Sequence, residues 1–171
     1  MRIPTLIFLL LAVSSAIPRQ PKTPRFEDYP AGRIFHGKPT QIDWPPDYAQ
    51  HEFFQARIHD LVNSGVNFAG HYVVGEWSCG TDCRWLFVLD MRTGKFLSTA
   101  PYGTLSLGPH RPPNRDWLQT CPKSRLLIAS GCFNVEAPKK PIECGTKYFK
   151  FERQEFVTIQ FDPIPTPPYF R

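Results

Sequence analysis

Cys79 and Cys83 enclose only Gly80, Thr81 and Asp82, and a tryptophan stands two residues outside each of them, Trp77 before and Trp85 after. Joined as a disulfide, such a pair makes a small closed loop that is ordered before it meets a partner, so little conformational entropy is lost on binding. Tryptophan is enriched at binding hot spots. The same residues also read as a plain structural staple, with both indoles turned into a core. Two further chemistries would use the same cysteines. A thiol-disulfide redox couple is the alternative to a binding loop. Oxidoreductases, however, stabilise their thiolate with Cys-x-x-Cys at a helix N-terminus, whereas three residues intervene here and a strand-like run follows. Zinc held by His71, Cys79 and Cys83 would need thiolates, which oxidation removes.

A hydrolase would need a nucleophile or paired carboxylates with a base, and His71, Glu76, Ser78 and Asp82 lie close together in the chain. Along an extended strand His71 and Trp77 share one face while Glu76 and Ser78 lie on the other. That separates the base from the candidate nucleophile. Neither Gly-x-Ser-x-Gly nor His-Glu-x-x-His occurs. The residues therefore suggest no catalytic set, no metal centre and no cofactor. His110, Arg111 and Arg115 form a basic stretch that could meet an anionic glycan, a lipid headgroup or an acidic protein, or could simply be solvated.

The elements that position these residues begin after an export signal. Arg2, the apolar run Leu6 to Val13 and the small residues Ser14-Ser15-Ala16 have the pattern of a secretory signal peptide. The run is far shorter than the roughly 20 residues that span a bilayer. The expected product is a soluble secreted or periplasmic chain cleaved near Ala16, without a transmembrane segment. All five cysteines follow that point, so an oxidising compartment makes disulfides the first reading. Ser124 to Ser130 reads as extended chain, which would hold Cys121 and Cys132 roughly 30 Å apart. Cys132 and Cys144 bracket the loop-like Glu136-Ala137-Pro138-Lys139-Lys140-Pro141 and are the expected second bridge. A ring of about 13 residues contributes on the order of 3 kcal/mol. Cys121 is left as a free thiol or a small buried apolar residue.

The 171 residues suit a single domain, and 19 of them are proline. None of the prolines lies between Asp47 and Ala100 or between Ile142 and Asp162, which places the core in those stretches. The net charge of +5, with no run of four or more basic residues, carries no nucleic-acid footprint. An unknown protein or envelope component is the expected partner. Residues 17–46 read as a proline-rich arm, 47–162 as the domain and 163–171 as a loose proline-rich tail. Asp47 with Gln50 resembles a capping box, and Phe54, Ile58, Leu61 and Val62 recur at helical spacing, predicting a helix from about Tyr48 to Asn63. His71 to Trp77 and Arg84 to Asp90 predict a hairpin inside the sheet, and Phe96 to Thr99 a third strand. Ala100 to Lys123 reads as a long surface loop. Leu126 to Phe133, Lys147 to Glu152 and Phe156 to Phe161 complete the strands, with Val157, Ile159 and Phe161 facing the core.

Asn67-Phe68-Ala69-Gly70-His71-Tyr72, Trp77-x-Cys79-Gly80-x-x-Cys83 and Asp90-x-x-Thr93-Gly94-Lys95 together resemble a group of small exported bacterial proteins of unassigned function. Ser124-Arg125-Leu126-Leu127 and Cys144-Gly145-x-x-Tyr148-Phe149 continue the likeness, which spans roughly Gly65 to Phe161. It implies export and a shared fold, and it assigns no catalytic residue. The Cys79 to Cys83 loop is also similar, more faintly, to the loop that periplasmic inhibitors of vertebrate lysozyme insert into the enzyme's cleft. Asp82 before the second cysteine is the inner match. The expectation is an α+β domain in which one N-terminal amphipathic helix packs on an antiparallel sheet of about six strands, stapled by two disulfides. Its function would be non-enzymatic binding or inhibition through Trp77, Gly80, Thr81, Asp82, Trp85 and His71.

Overall fold

Phe54, Ile58 and Val62 fall on one stripe of a helix, and burying that stripe is what fixes α1 (Glu52–Ser64). All three are buried in the computed structural model, which describes residues 22–46, 52–98, 100–102, 104–107, 116–134 and 140–168. Gly65 ends the helix in the left-handed region (φ 89°), its N–H bonded to the Val62 carbonyl at 3.2 Å. The helix is not N-terminal as expected. An extended arm and a short 3-10 turn at Phe26–Asp28 come first. The signal-peptide segment, the Asp47 to Gln50 box, the stretch holding His110, Arg111 and Arg115, and most of the Glu136 to Pro141 loop lie outside the described residues.

Seven strands follow: β1 (Tyr72–Ser78), β2 (Cys83–Asp90), β3 (Thr104–Ser106), β4 (Leu118–Gln119), β5 (Leu126–Phe133), β6 (Glu143–Glu152) and β7 (Glu155–Pro163). Every pairing is antiparallel, in the order β1-β2-β3-β5-β6-β7, and β4 also pairs with β5. Among the described residues the fold class is thus α+β with one α-helix and two disulfides, but with seven strands rather than about six. Cys132 and Cys144 face each other in register on β5 and β6, and Cys121 is the free cysteine.

The third strand is Thr104–Ser106, not Phe96 to Thr99 as expected. Phe96 makes one bridge to Leu89, and the strand beside β2 comes instead from the segment expected to be a surface loop. Tyr102, Leu105, Leu107 and Trp117 of that segment are buried, anchoring it from within. The hairpin is only half interior. β2 is flanked on both sides, whereas β1 is the sheet's edge.

The sheet curls so that its first and later strands share one core. Tyr72 on β1 meets the Phe151 ring of β6 at 4.9 Å, and the fully buried Phe68 lies 5.4 Å from Phe151 and 5.9 Å from Phe156. The outer face is covered in two patches. α1 lies over Val73 and Leu89, with Trp77 and Phe87 packed alongside, while Phe26 and Tyr29 of the arm cover Leu126, Ile128 and Tyr148. Gly75 permits the first of these, because a side chain there would run into the Phe87 ring and Leu61. The first half of β7 faces the other way from the expectation. Phe156 faces the core, while Val157 is 50% exposed and Ile159 joins the arm-covered patch. Arg153 and Gln154 alone make the β6–β7 turn, and Glu155 already pairs with Glu152. The one-residue change in register turns the side chains at the start of β7 to the opposite face, as far as the bulge at Tyr148 and Phe149, beyond which Phe161 pairs with Lys147 and shares its face. β7 also carries into the expected loose tail as far as Pro163, and the Ile164 N–H bonds to the Cys144 carbonyl at 2.8 Å.

Candidate functional site

The β1–β2 hairpin places its turn at an open corner. Gly80, Thr81 and Asp82 are exposed, and Cys79 and Cys83 close the turn as a disulfide with Cα atoms 5.0 Å apart. Backbone bonds reinforce it: Cys79 N–H donates to the Cys83 carbonyl at 3.2 Å, and Leu107 N–H donates to the Asp82 carbonyl at 2.7 Å. The last of these ties the tip to the residue after β3.

Arg84 is the organiser that the cysteine spacing did not reveal. Its guanidinium donates to the carbonyl of Cys83 at 2.7 Å and of Gly80 at 3.4 Å, and to the Ser78 hydroxyl at 3.2 Å. Ser78 in turn donates to the Gly80 carbonyl at 2.8 Å. The Arg84 Nε lies 4.0 Å from the Glu76 carboxylate. Hydrogen bonds from a charged donor are about twice as strong as neutral ones, so one side chain ties Cys83 to Gly80 and Ser78.

Trp77 and Trp85 face each other across the hairpin, on the side that carries the helix. Trp77 packs edge-on against Phe54 at 5.0 Å and Phe53 at 5.6 Å. Phe53 is 77% exposed and Trp85 39% exposed, with the indole N–H of Trp85 bonded to the Thr104 hydroxyl at 3.3 Å. Phe53, Arg57, Glu76, Trp77, Ser78 and Arg84 line a shallow cavity of about 290 Å³ beside the tip. The missed contribution of Phe53 had a signal: it is an aromatic residue next to the buried helical stripe.

His71 does not belong with these residues. It precedes β1, and the seven residues of that strand, at about 3.3 Å each, hold it roughly 20 Å from the tip. The residues a hydrolase would have needed are divided in the same way, with Glu76 and Ser78 gathered by Arg84 and His71 at the far end. The His71 and Tyr72 rings lie 4.1 Å apart, tilted by 36°, and the His71 Nε2 lies 4.0 Å from the Asp90 carboxylate. Burial pulls the His71 pKa below the usual histidine value and Arg92 adds to the lowering, while Asp90 opposes them. Cys79 and Cys83 lie at strand ends, so no helix N-terminus favours a thiolate there. Comparison with protein-family models, with curated proteins and with solved structures gives no match, and the residues themselves carry the functional argument.

Proposed function

We propose that the chain is an exported, non-enzymatic binding or inhibitor module that offers the Cys79 to Cys83 tip to a protein partner with a cleft. The observation that carries this reading is exposure combined with order at one corner. Gly80, Thr81 and Asp82 are exposed, yet the disulfide, the Leu107 N–H and Arg84 hold them. A loop already held in place loses little entropy on docking. Phe53 and Trp85, two of the large apolar side chains left exposed, flank it and supply aromatic contact area.

Export belongs to the same proposal. Disulfides persist in oxidising compartments, and no helix among the described residues is long and apolar enough to cross a membrane. The likeness to periplasmic lysozyme inhibitors, resting on Asp82 before the second cysteine, makes vertebrate lysozyme the first defined partner to try.

The test measures binding to lysozyme, and capture from envelope extract, by the wild type, Asp82→Ala and Trp85→Ala. The expected result is a retained partner whose affinity falls about tenfold or more, near 1.4 kcal/mol, in both variants while their melting temperatures stay within a few degrees. Equal retention by all three proteins dismisses the reading.

A further inference from the structure

At the end of the sheet away from the tip, four chain segments each bring one arginine to the wall of a single basin of about 350 Å³. Arg33 comes from the arm, Arg92 from the turn after β2, Arg125 from the start of β5 and Arg153 from the β6–β7 turn, with His71 between them. Gathering four like charges is unfavourable unless something neutralises them. Within the described residues none of the four makes an ion pair. Glu152, the one carboxylate among the described residues lining the basin, is bonded to Lys150 at 3.0 Å and also feels the charges of Arg125 and Arg153, so a single carboxylate already shared with Lys150 faces four guanidinium groups. Asp90 behind His71 receives the Arg92 backbone N–H at 2.8 Å.

The backbone at the same place is strained. Of the four non-glycine residues at positive φ among the described residues, three line this basin: Ala69 (44°), Arg153 (52°) and Gln154 (64°). A two-residue hairpin turn with both residues left-handed favours Asn-Gly, yet the chain places Arg-Gln there. Strain of this kind gathers at functional sites, held by surrounding structure. Here the holding is explicit. Ala69 N–H bonds to the Ser124 carbonyl at 3.0 Å, Gly70 N–H to the Pro122 carbonyl at 2.8 Å, and Phe35 N–H to the Gly70 carbonyl at 2.7 Å. Three of the motifs singled out in the sequence, around Asn67 to Tyr72, Asp90 to Lys95 and Ser124 to Leu127, therefore meet at this basin and not at the tip.

We propose that this basin binds the phosphate group of a phosphomonoester. Guanidinium groups pair in a bidentate manner with phosphate oxygens, and the excess of positive charge suits a dianion better than a single carboxylate. The volume accommodates a small molecule of sugar-phosphate size. The site is separate from the tip and stands or falls without it.

The experiment titrates inorganic phosphate, a sugar phosphate and the matching unphosphorylated sugar by calorimetry. It adds co-sedimentation with phosphatidylcholine vesicles containing or lacking phosphatidic acid. Phosphate and sugar phosphate should bind saturably, and the sugar should not. Arg92→Gln, at an exposed position, should weaken binding about tenfold. Arg153→Gly should weaken it similarly while raising the melting temperature, because glycine relieves the left-handed turn. A merely structural Arg153 would not give that opposed pair of effects. Co-sedimentation only with phosphatidic acid identifies a lipid headgroup as the source, whereas sugar-phosphate binding without co-sedimentation identifies a soluble ligand. Failure of every phosphate-bearing probe to bind, or binding unchanged in both variants, overturns the proposal. Asp82→Ala should bind phosphate like the wild type, which keeps this outcome independent of the tip.

Discussion

Asn67 pairs with Val74 as a neighbouring strand would: its side-chain oxygen accepts the Val74 N–H at 2.7 Å and its amide donates to the Val74 carbonyl at 2.8 Å. β1 is the edge of the sheet, and open edges invite pairing with other chains. One amide side chain therefore satisfies the middle of the edge, next to the point where the backbone of Asn67 and Phe68 bonds to Tyr72.

Asn67→Ala should remove both bonds at once. Each is partly buried, so the loss should be about 1–3 kcal/mol of unfolding free energy, measured by urea titration. The same variant should self-associate at concentrations where the wild type is dispersed, read by light scattering. A variant as stable and as dispersed as the wild type would show that water replaces the amide without cost.

The two disulfides should contribute unequally. Cys79 and Cys83 are four positions apart, Cys132 and Cys144 twelve, and the entropy removed from the unfolded chain grows with ring size. Alanine at both members of the pair should lower stability by about 2 kcal/mol at the tip and about 3 kcal/mol at β5–β6. The second loss should be the larger for another reason as well: Cys132 and Cys144 are buried and their removal leaves a void. Non-reducing thermal unfolding of the two double variants gives the order directly.

How far the fold is legible in the residues depends on the length of each pattern. The stripe of Phe54, Ile58 and Val62 shows a helical period, Leu126 to Phe133 is a near-continuous apolar run of strand length, and both elements occur where the pattern places them. Extended-chain length likewise separates Cys121 from Cys132 and leaves Cys144 as the partner. β3 and β4 have three and two residues, too few to show alternation, and nearby glycine and proline give their segment the composition of a loop. The β7 register hangs on Arg153 and Gln154 adopting left-handed backbone, which neither residue type announces. The role of Arg84 is invisible for a different reason. Its bonds go largely to backbone carbonyls, so no spacing between side chains encodes them. The separation of His71 from the tip, in contrast, follows from strand rise alone and was present in the sequence.

Tyr102→Phe should stabilise the protein. The Tyr102 hydroxyl is buried without a hydrogen-bond partner among the described residues, and burial, with the nearby Glu76 charge, drives its pKa well above the usual tyrosine value. The ring itself packs on Phe133 at 5.4 Å and Phe149 at 6.0 Å, contacts that phenylalanine preserves. Removing an unsatisfied buried hydroxyl should add up to about 1–2 kcal/mol, seen as a higher urea midpoint at unchanged slope. A lower midpoint would reveal a partner for the hydroxyl.

Stability should also fall in mild acid because of His71. Burial lowers its pKa first and Arg92 adds to this, while Asp90 pulls the other way without prevailing. The neutral ring is therefore the form the fold favours. As pH drops through about 6.5, the unfolded chain takes up the proton before the native state does, and mass action shifts the balance towards unfolding. The contribution is fully present above that pH and is lost progressively below it. Carboxylates elsewhere also titrate in acid, so the informative quantity is the difference between the wild type and His71→Gln. The wild type should lose more unfolding free energy than the variant between pH 7.5 and 5. Arg92→Gln should lessen that loss, since one of the two lowering influences is gone. A wild type that gains stability relative to His71→Gln over the same interval would show that Asp90 governs the ring and that the protonated form is the native one.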